Sequence, residues 1–112
     1  MDKLSIQTGA NGSVAVMTVA GRIDSESSPE LDAELTKAVS GNTRLVLDLK
    51  GVDYMSSAGI RSVVKASQSA SESGGAVKLA SIPESIQSIL YTVGLNQKIG
   101  TFATVNEAVA SF

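Results

Sequence analysis

Leu4 and Ile6 alternate with Ser5 and Gln7 over residues 4–8, and residues 14–20 form a second β-branched stretch, so the chain predicts two strands at its start. Asn11-Gly12 between them predicts a hairpin turn on those two residues, because both tolerate positive φ. Gly21-Arg22-Ile23-Asp24 then reads as a loop, and Ser27-Ser28-Pro29-Glu30 supplies N-cap hydroxyls, a proline suited to the first helical turn and an early carboxylate. Leu31, Leu35, Ala38 and Val39 follow on one stripe, with Gly41-Asn42 as a left-handed stop, which predicts a helix as far as Ser40. Residues 44–49, RLVLDL, carry three successive apolar positions, Leu45, Val46 and Leu47, as expected for a central strand covered on both faces. Beyond the connection Gly51 to Met55, a second helix is predicted over 57–73, with Ile60, Val63, Val64, Ser67 and Ala70 inward and Gly74-Gly75 ending it. Residues 76–80 predict a strand. Ser81-Ile82-Pro83-Glu84 repeats the S-x-x-E start signal, and Ile86, Ile89, Leu90 and Val93 predict a third helix closed by Gly94. A short strand near 98–102 and a terminal helix from the capping box Thr104-Val105-Asn106-Glu107 complete the order ββαβαβαβα. The expectation is a single α/β domain over 1–112, a mixed and mostly parallel sheet of about five strands with an N-terminal hairpin and about four helices.

Composition narrows what this domain can do. Among 112 residues there is no His and no Cys, which excludes Ser-His-Asp and Cys-His nucleophiles, disulfides and the usual zinc sites within the chain. Nine Lys and Arg against eleven Asp and Glu leave a formal net charge of -2, with no basic footprint for nucleic acid or anionic lipid. The aromatics are only Tyr54, Tyr91, Phe102 and Phe112, so the core is expected from Val, Ile, Leu and Ala, and base-stacking platforms are not expected. Apolar runs fall far below the roughly 18 residues of a membrane-spanning helix, and MDKLSIQTGANG lacks a secretory signal, so no membrane association and a cytoplasmic location are expected.

In open α/β sheets functional groups gather where strand ends lead into helices, and two loops qualify. One, Asp53 to Ile60, delivers Ser56 and Ser57 to the start of the second helix. A lone serine there is most simply a helix cap, worth about 1 kcal/mol. A second Ser followed by Ala58 and Gly59 keeps the surroundings low, so that another protein could reach one hydroxyl, and a helix start tolerates a phosphate; the pair is a candidate modification site. With 17 serines in the chain the signal alone is weak. The other loop carries Asp24, which either fixes the turn into the first helix or makes a contact; Arg22 reads as a solvated charge, and Tyr54 and Met55 as core plugs beneath the loop. No P-loop or G-x-G-x-x-G is present, and the acidic pair of a phospho-acceptor receiver is missing after the first strand. An enzyme using Asp24 and Asp53 would need a third group or a cofactor motif, and none is visible.

GRIDSESSPEL, LVLDLKGVDYMSSAGIRSV and VKLASIPESIQSILYTVGL, in this order and spacing, resemble the STAS-domain anti-sigma-factor antagonists of bacterial partner switching, over essentially the whole chain. The resemblance implies a reversible switch, and with no His, no Cys and no nucleotide motif the chain is expected to be no enzyme and to hold no cofactor and no metal. The unmodified antagonist binds an anti-sigma factor that is also a serine kinase, so that the sigma factor is released. The kinase then phosphorylates a serine at the start of the second helix, and a PP2C-type phosphatase reverses the modification. On YMSSAGI the acceptor position is Ser57, with Ser56 in place of the family's aspartate and Ala58 in place of a hydroxyl residue; Ser56 is the alternative acceptor. Asp24 matches the family's aspartate after the second strand, and Asp24, Ser56, Ser57, Ala58, Gly59 and Arg61 are the expected partner contacts. The free chain is expected to be a monomer, and its start at Met1 and end after a short helix favour a free-standing antagonist. The alternative is a ligand-binding or regulatory STAS module in a sensory or transporter-linked complex.

Overall fold

In the computed structural model, which describes residues 3–112, alternation and period become nine elements joined in the expected order ββαβαβαβα. They are β1 (Ser5–Asn11), β2 (Val14–Ile23), α1 (Ser28–Gly41), β3 (Arg44–Met55), α2 (Ser57–Glu72), β4 (Ala76–Ala80), α3 (Glu84–Thr92), β5 (Thr101–Phe102) and α4 (Val105–Ala110), with one 3-10 turn at Leu95–Gln97. The strands form one sheet ordered β1-β2-β3-β4-β5, antiparallel between β1 and β2 and parallel elsewhere. β3 is the central strand because its alternate residues are apolar on both faces. Leu45, Leu47 and Leu49 join Met17, Val19 and Ile23 of β2 beneath Leu31 and Leu35 of α1, Val63 and Ala66 of α2, and Ile86 and Leu90 of α3. Val46 faces the other way, with Val14, Ala80 and Ala108, under α4.

Several boundaries differ from the sequence reading. The hairpin turn is Gly12-Ser13, because Asn11 still pairs with Val14, and only Gly12 takes positive φ, at 65°. That Gly-first turn curls with the right-handed twist of the flanking strands. Both β2 and β3 run on through stretches expected to be loops, to Ile23 and to Met55. Their register shifts between Thr18 and Ala20 and again between Gly21 and Arg22, each time adding a residue to β3, so bulges carry the pairing where Gly21 and Gly51 had suggested breaks.

Capping also departs from expectation. Ser27 has helical backbone angles and makes no side-chain cap, and α1 ends without a left-handed residue. Asn42 is extended instead, its amide donating to Ser13 O at 2.9 Å and its carbonyl accepting from Arg44 N–H at 2.9 Å. Gly59, Ser62, Val63, Ala66 and Ala70 form the buried stripe of α2, leaving Ile60, Val64 and Ser67 half-buried on its flanks. Gly74-Gly75 does end this helix, with Gly74 N–H donating to Ser71 O and Gly75 N–H to Ala70 O. Ser81 does not form the expected capping box; its hydroxyl turns to Ala103 O and Pro83 stands at the N-cap of α3. Val93 lies past the end of α3 and is exposed. Thr104 does cap α4, its hydroxyl accepting from Glu107 N–H at 3.1 Å.

Candidate functional site

β2 and β3 end together, and Ser56 ties the two ends: its N–H donates to Ile23 O at 2.7 Å. With φ -84° and ψ 169° Ser56 leaves the strand at the angles of an N-cap, and its Oγ accepts from Gly59 N–H at 3.3 Å. Its hydroxyl is half-buried and engaged. Ser57, the first residue of α2, is exposed, and no hydrogen bond to its hydroxyl occurs among the described residues. Ala58 is half-buried and Arg61 exposed. Gly59, expected as a contact, is buried: a Cβ there would collide with Ile23 Cγ2 and crowd Met55 Cγ at 3.3 Å, so its lack of a side chain is what lets α2 close over the strand ends. It presents no side-chain surface to a partner.

Asp24 organises the loop between β2 and α1. Its Oδ1 accepts from Ser27 N–H at 2.9 Å and Glu26 N–H at 3.0 Å, while Oδ2 accepts from Arg22 Nε at 3.1 Å. The Ser27 hydroxyl accepts from Asp24 N–H at 2.9 Å and donates to Arg22 O at 2.8 Å, which explains why it does not cap α1. These bonds favour the carboxylate: the Ser27 N–H above all, assisted by Glu26 N–H and by the Ser27 and Arg22 side chains, overcomes the opposing effect of burial and lowers the Asp24 pKa below its ordinary 3.8. The turn-fixing reading of Asp24 is therefore realised in the geometry.

Two residues were misjudged from sequence. Arg22 is not a free surface charge; besides its pair with Asp24, its guanidinium carbon lies 4.0 Å from the centre of the Tyr54 ring. Tyr54 is 38% exposed and so is no core plug, whereas Met55 is buried as expected. The bulges of β3 place Tyr54 opposite Arg22, and that pairing register would have been the signal. The stack borders an open groove of about 780 Å³ lined by Lys3, Leu4, Asp24, Glu26, Glu30 and Ser56 among others. Asp53 lies outside this groove, so it does not converge with Asp24 there. A second groove, of about 370 Å³, lies between α1 and α2 and carries Asp32, Ala58, Arg61 and Lys65, with Lys65 Nζ 3.2 Å from Asp32 Oδ2. Ser56 thus borders a groove bearing Asp24 and Glu26 of the loop and Glu30 of α1, and Ala58 borders one bearing Arg61 and Lys65 with Asp32; Ser57 lies between the two in sequence. Among the described residues no group of three potential metal ligands converges, and no helix is long and apolar enough to cross a membrane.

Residues 5–108 match the family model of the STAS domain. The chain is 25% identical over 111 residues to the anti-sigma-F factor antagonist RsfB of Mycobacterium tuberculosis, covering 96% of this chain and 88% of RsfB. Its fold is similar to that of an anti-sigma factor antagonist from Mycobacterium paratuberculosis, with a TM-score of 0.90 at 20% identity over 98% of this chain and 94% of that one. It is similar as well to SpoIIAA, an anti-sigma factor antagonist, in its unphosphorylated form, with a TM-score of 0.79 at 18% identity over 94% of this chain and 93% of that one. For the phosphorylated form of Bacillus SpoIIAA the TM-score is 0.73 at 17% identity over 96% of this chain and 98% of that one.

Proposed function

The chain belongs to the STAS domain family, and from that premise we propose that it is an anti-sigma factor antagonist switched by phosphorylation of Ser57. The observation that carries the choice of residue is the contrast within the serine pair: the Ser56 hydroxyl is engaged as the cap of α2, and the Ser57 hydroxyl beside it is exposed and unbonded among the described residues. That SpoIIAA, of similar fold, exists in an unphosphorylated and a phosphorylated form supports phosphorylation as the modification.

In this reading the unmodified chain docks on an anti-sigma factor that is also a serine kinase, with Ser57, Ala58 and the Asp24 loop at the contact, and the sigma factor is released. The chain is the substrate of the ensuing transfer rather than its catalyst. Ser57 Oγ forms a bond to the γ-phosphorus of ATP held by the kinase, the bond from that phosphorus to the bridging oxygen breaks, ADP leaves, and the hydroxyl proton passes to a base on the kinase. Ser57 then carries about -1.5 to -2 charge. Burying that charge against the partner opposes the complex; about 3 kcal/mol of repulsion and desolvation is roughly a hundredfold in affinity. A PP2C-type phosphatase restores the hydroxyl by hydrolysis, and the cycle places the protein in the cytoplasm with its ATP-using partner.

Incubating the protein with a candidate anti-sigma kinase and ATP, then measuring intact mass and mapping peptides, tests the reading. One phosphate on Ser57 is the expected result. Phosphate on Ser56 alone, or on the exposed serines between 67 and 73, overturns the assignment.

A further inference from the structure

We propose that Arg61 is the cation that receives the phosphate once Ser57 carries it, an inference that rests on Ser57 being the acceptor. Ser57 and Arg61 stand four residues apart on α2, both exposed, at the spacing where helical side chains meet, with Cβ atoms about 5–6 Å apart. Side chains on a helix lean toward its N-terminus, a direction that puts Ser57 within reach of the long Arg61 side chain, which also borders the second groove with Asp32 and Lys65. A guanidinium presents a planar fork that matches two phosphate oxygens at once.

The charges around the acceptor single Arg61 out. At the end of β2, Arg22 already faces Asp24 at 3.1 Å and the Tyr54 ring at 4.0 Å. On α2 itself, one turn further along, Lys65 pairs with Asp32 of α1 at 3.2 Å. Lys3 borders the groove as well, but it precedes β1, and β2 lies between that strand and the end of β3 from which Ser57 follows. Asp24, Glu26 and Glu30 line the same groove as Lys3, the one that reaches Ser56, the residue before the acceptor, and disfavour a dianion there. Arg61 enters no ion pair or hydrogen bond among the described residues. Attraction on one side and repulsion on the other therefore hold the phosphate along α2, in one arrangement that a phosphatase would meet.

The test uses the full chain with phosphoserine installed at position 57 by codon suppression and follows the phosphate by phosphorus NMR through its second ionisation. A neighbouring cation favours the dianion, so the midpoint of the phosphorylated protein should lie below that of the same protein carrying Arg61→Gln by about 0.3 to 0.5 pH unit. Arg61→Lys should restore part of the difference, and Lys3→Gln should leave the midpoint unchanged. The Arg61 Nε–H resonance of the otherwise unaltered chain should also move as the phosphate ionises. Equal midpoints with and without Arg61 together with a stationary Nε–H overturn the proposal, and a midpoint that follows Lys3 in place of Arg61 overturns it too. Because the phosphate is placed at position 57 directly, such a failure leaves the Ser57 reading standing; a kinase that modifies another serine would overturn that reading instead.

Discussion

Replacing Ser56 with Ala removes the hydroxyl that accepts from Gly59 N–H, and loss of such a cap costs about 1 kcal/mol. Urea denaturation should show S56A destabilised by about that amount and S57A nearly unchanged, since the Ser57 hydroxyl has no hydrogen bond among the described residues to lose, while only S57A should resist the kinase. Gly59→Ala should be worse than either: its Cβ meets Ile23 Cγ2, a side chain with no exposed surface, and overpacking of this kind costs about 1–3 kcal/mol by the same measurement. Asp24 adds a pH dependence whose sign follows from its hydrogen bonds. Its folded pKa is depressed, so the stability it contributes is complete above its ordinary 3.8 and is lost as pH falls through the lower folded value. The gap in thermal midpoint between the unaltered protein and Asp24→Asn should therefore be widest above pH 4 and narrow as acid protonates Asp24. A constant gap down to pH 2 would contradict this account of the loop. Residue types alone did not reveal such roles. Ser27 precedes a proline and a glutamate as a cap would, yet the Asp24 N–H and Arg22 O claim its hydroxyl, and that competition depends on backbone angles that no spacing encodes.

Among the elements, the helices and β4 were legible because apolar periodicity directly reports burial, and Leu45, Val46 and Leu47 marked β3 as central because both its faces are covered. The ends of β2 and β3 were not legible: glycine punctuation suggested loops, and only pairing across the sheet reveals the bulges that carry the strands on to Ile23 and Met55 and bring Tyr54 opposite Arg22. The serine pair could be located but not divided, since cap and first helical residue differ in backbone conformation rather than in side chain. α4 offers a separate test at this scale. It covers Val14, Val46 and Ala80 together with Phe102 and Phe112, and Lys78 secures it, with Nζ donating to Ser111 O at 3.0 Å and to Ser111 Oγ at 2.7 Å and lying 4.2 Å from the centre of the Phe112 ring. Lys78→Met keeps the apolar stem and removes these contacts, worth about 1 kcal/mol. Amide exchange in α4 should accelerate severalfold in K78M while that of α1 and α2 stays as it was; equal acceleration throughout would show that α4 does not open separately.

For the molecule as a whole, α2 is locked to the sheet by Val63, Ala66 and Ala70, and the two strand ends are joined through Ser56 N–H and Ile23 O. Under the proposed switch a phosphate on exposed Ser57 would therefore leave the core packing in place, and a partner would meet its charge directly. Amide shifts on phosphorylation should be confined to the Asp24 loop and residues 54–61. Changes spread through the sheet and α3 would point to an allosteric rearrangement. The same argument predicts that Ala58→Glu, which puts a carboxylate next to the acceptor at a half-buried position, weakens the kinase complex without unfolding the domain. Calorimetric titration of the anti-sigma kinase with the unmodified chain and with the chain bearing phosphoserine at 57 tests the central claim most directly. The account predicts binding by the unmodified form and a loss of roughly a hundredfold or more on phosphorylation. Equal affinity of the two forms, or tighter binding of the phosphorylated one, would contradict it.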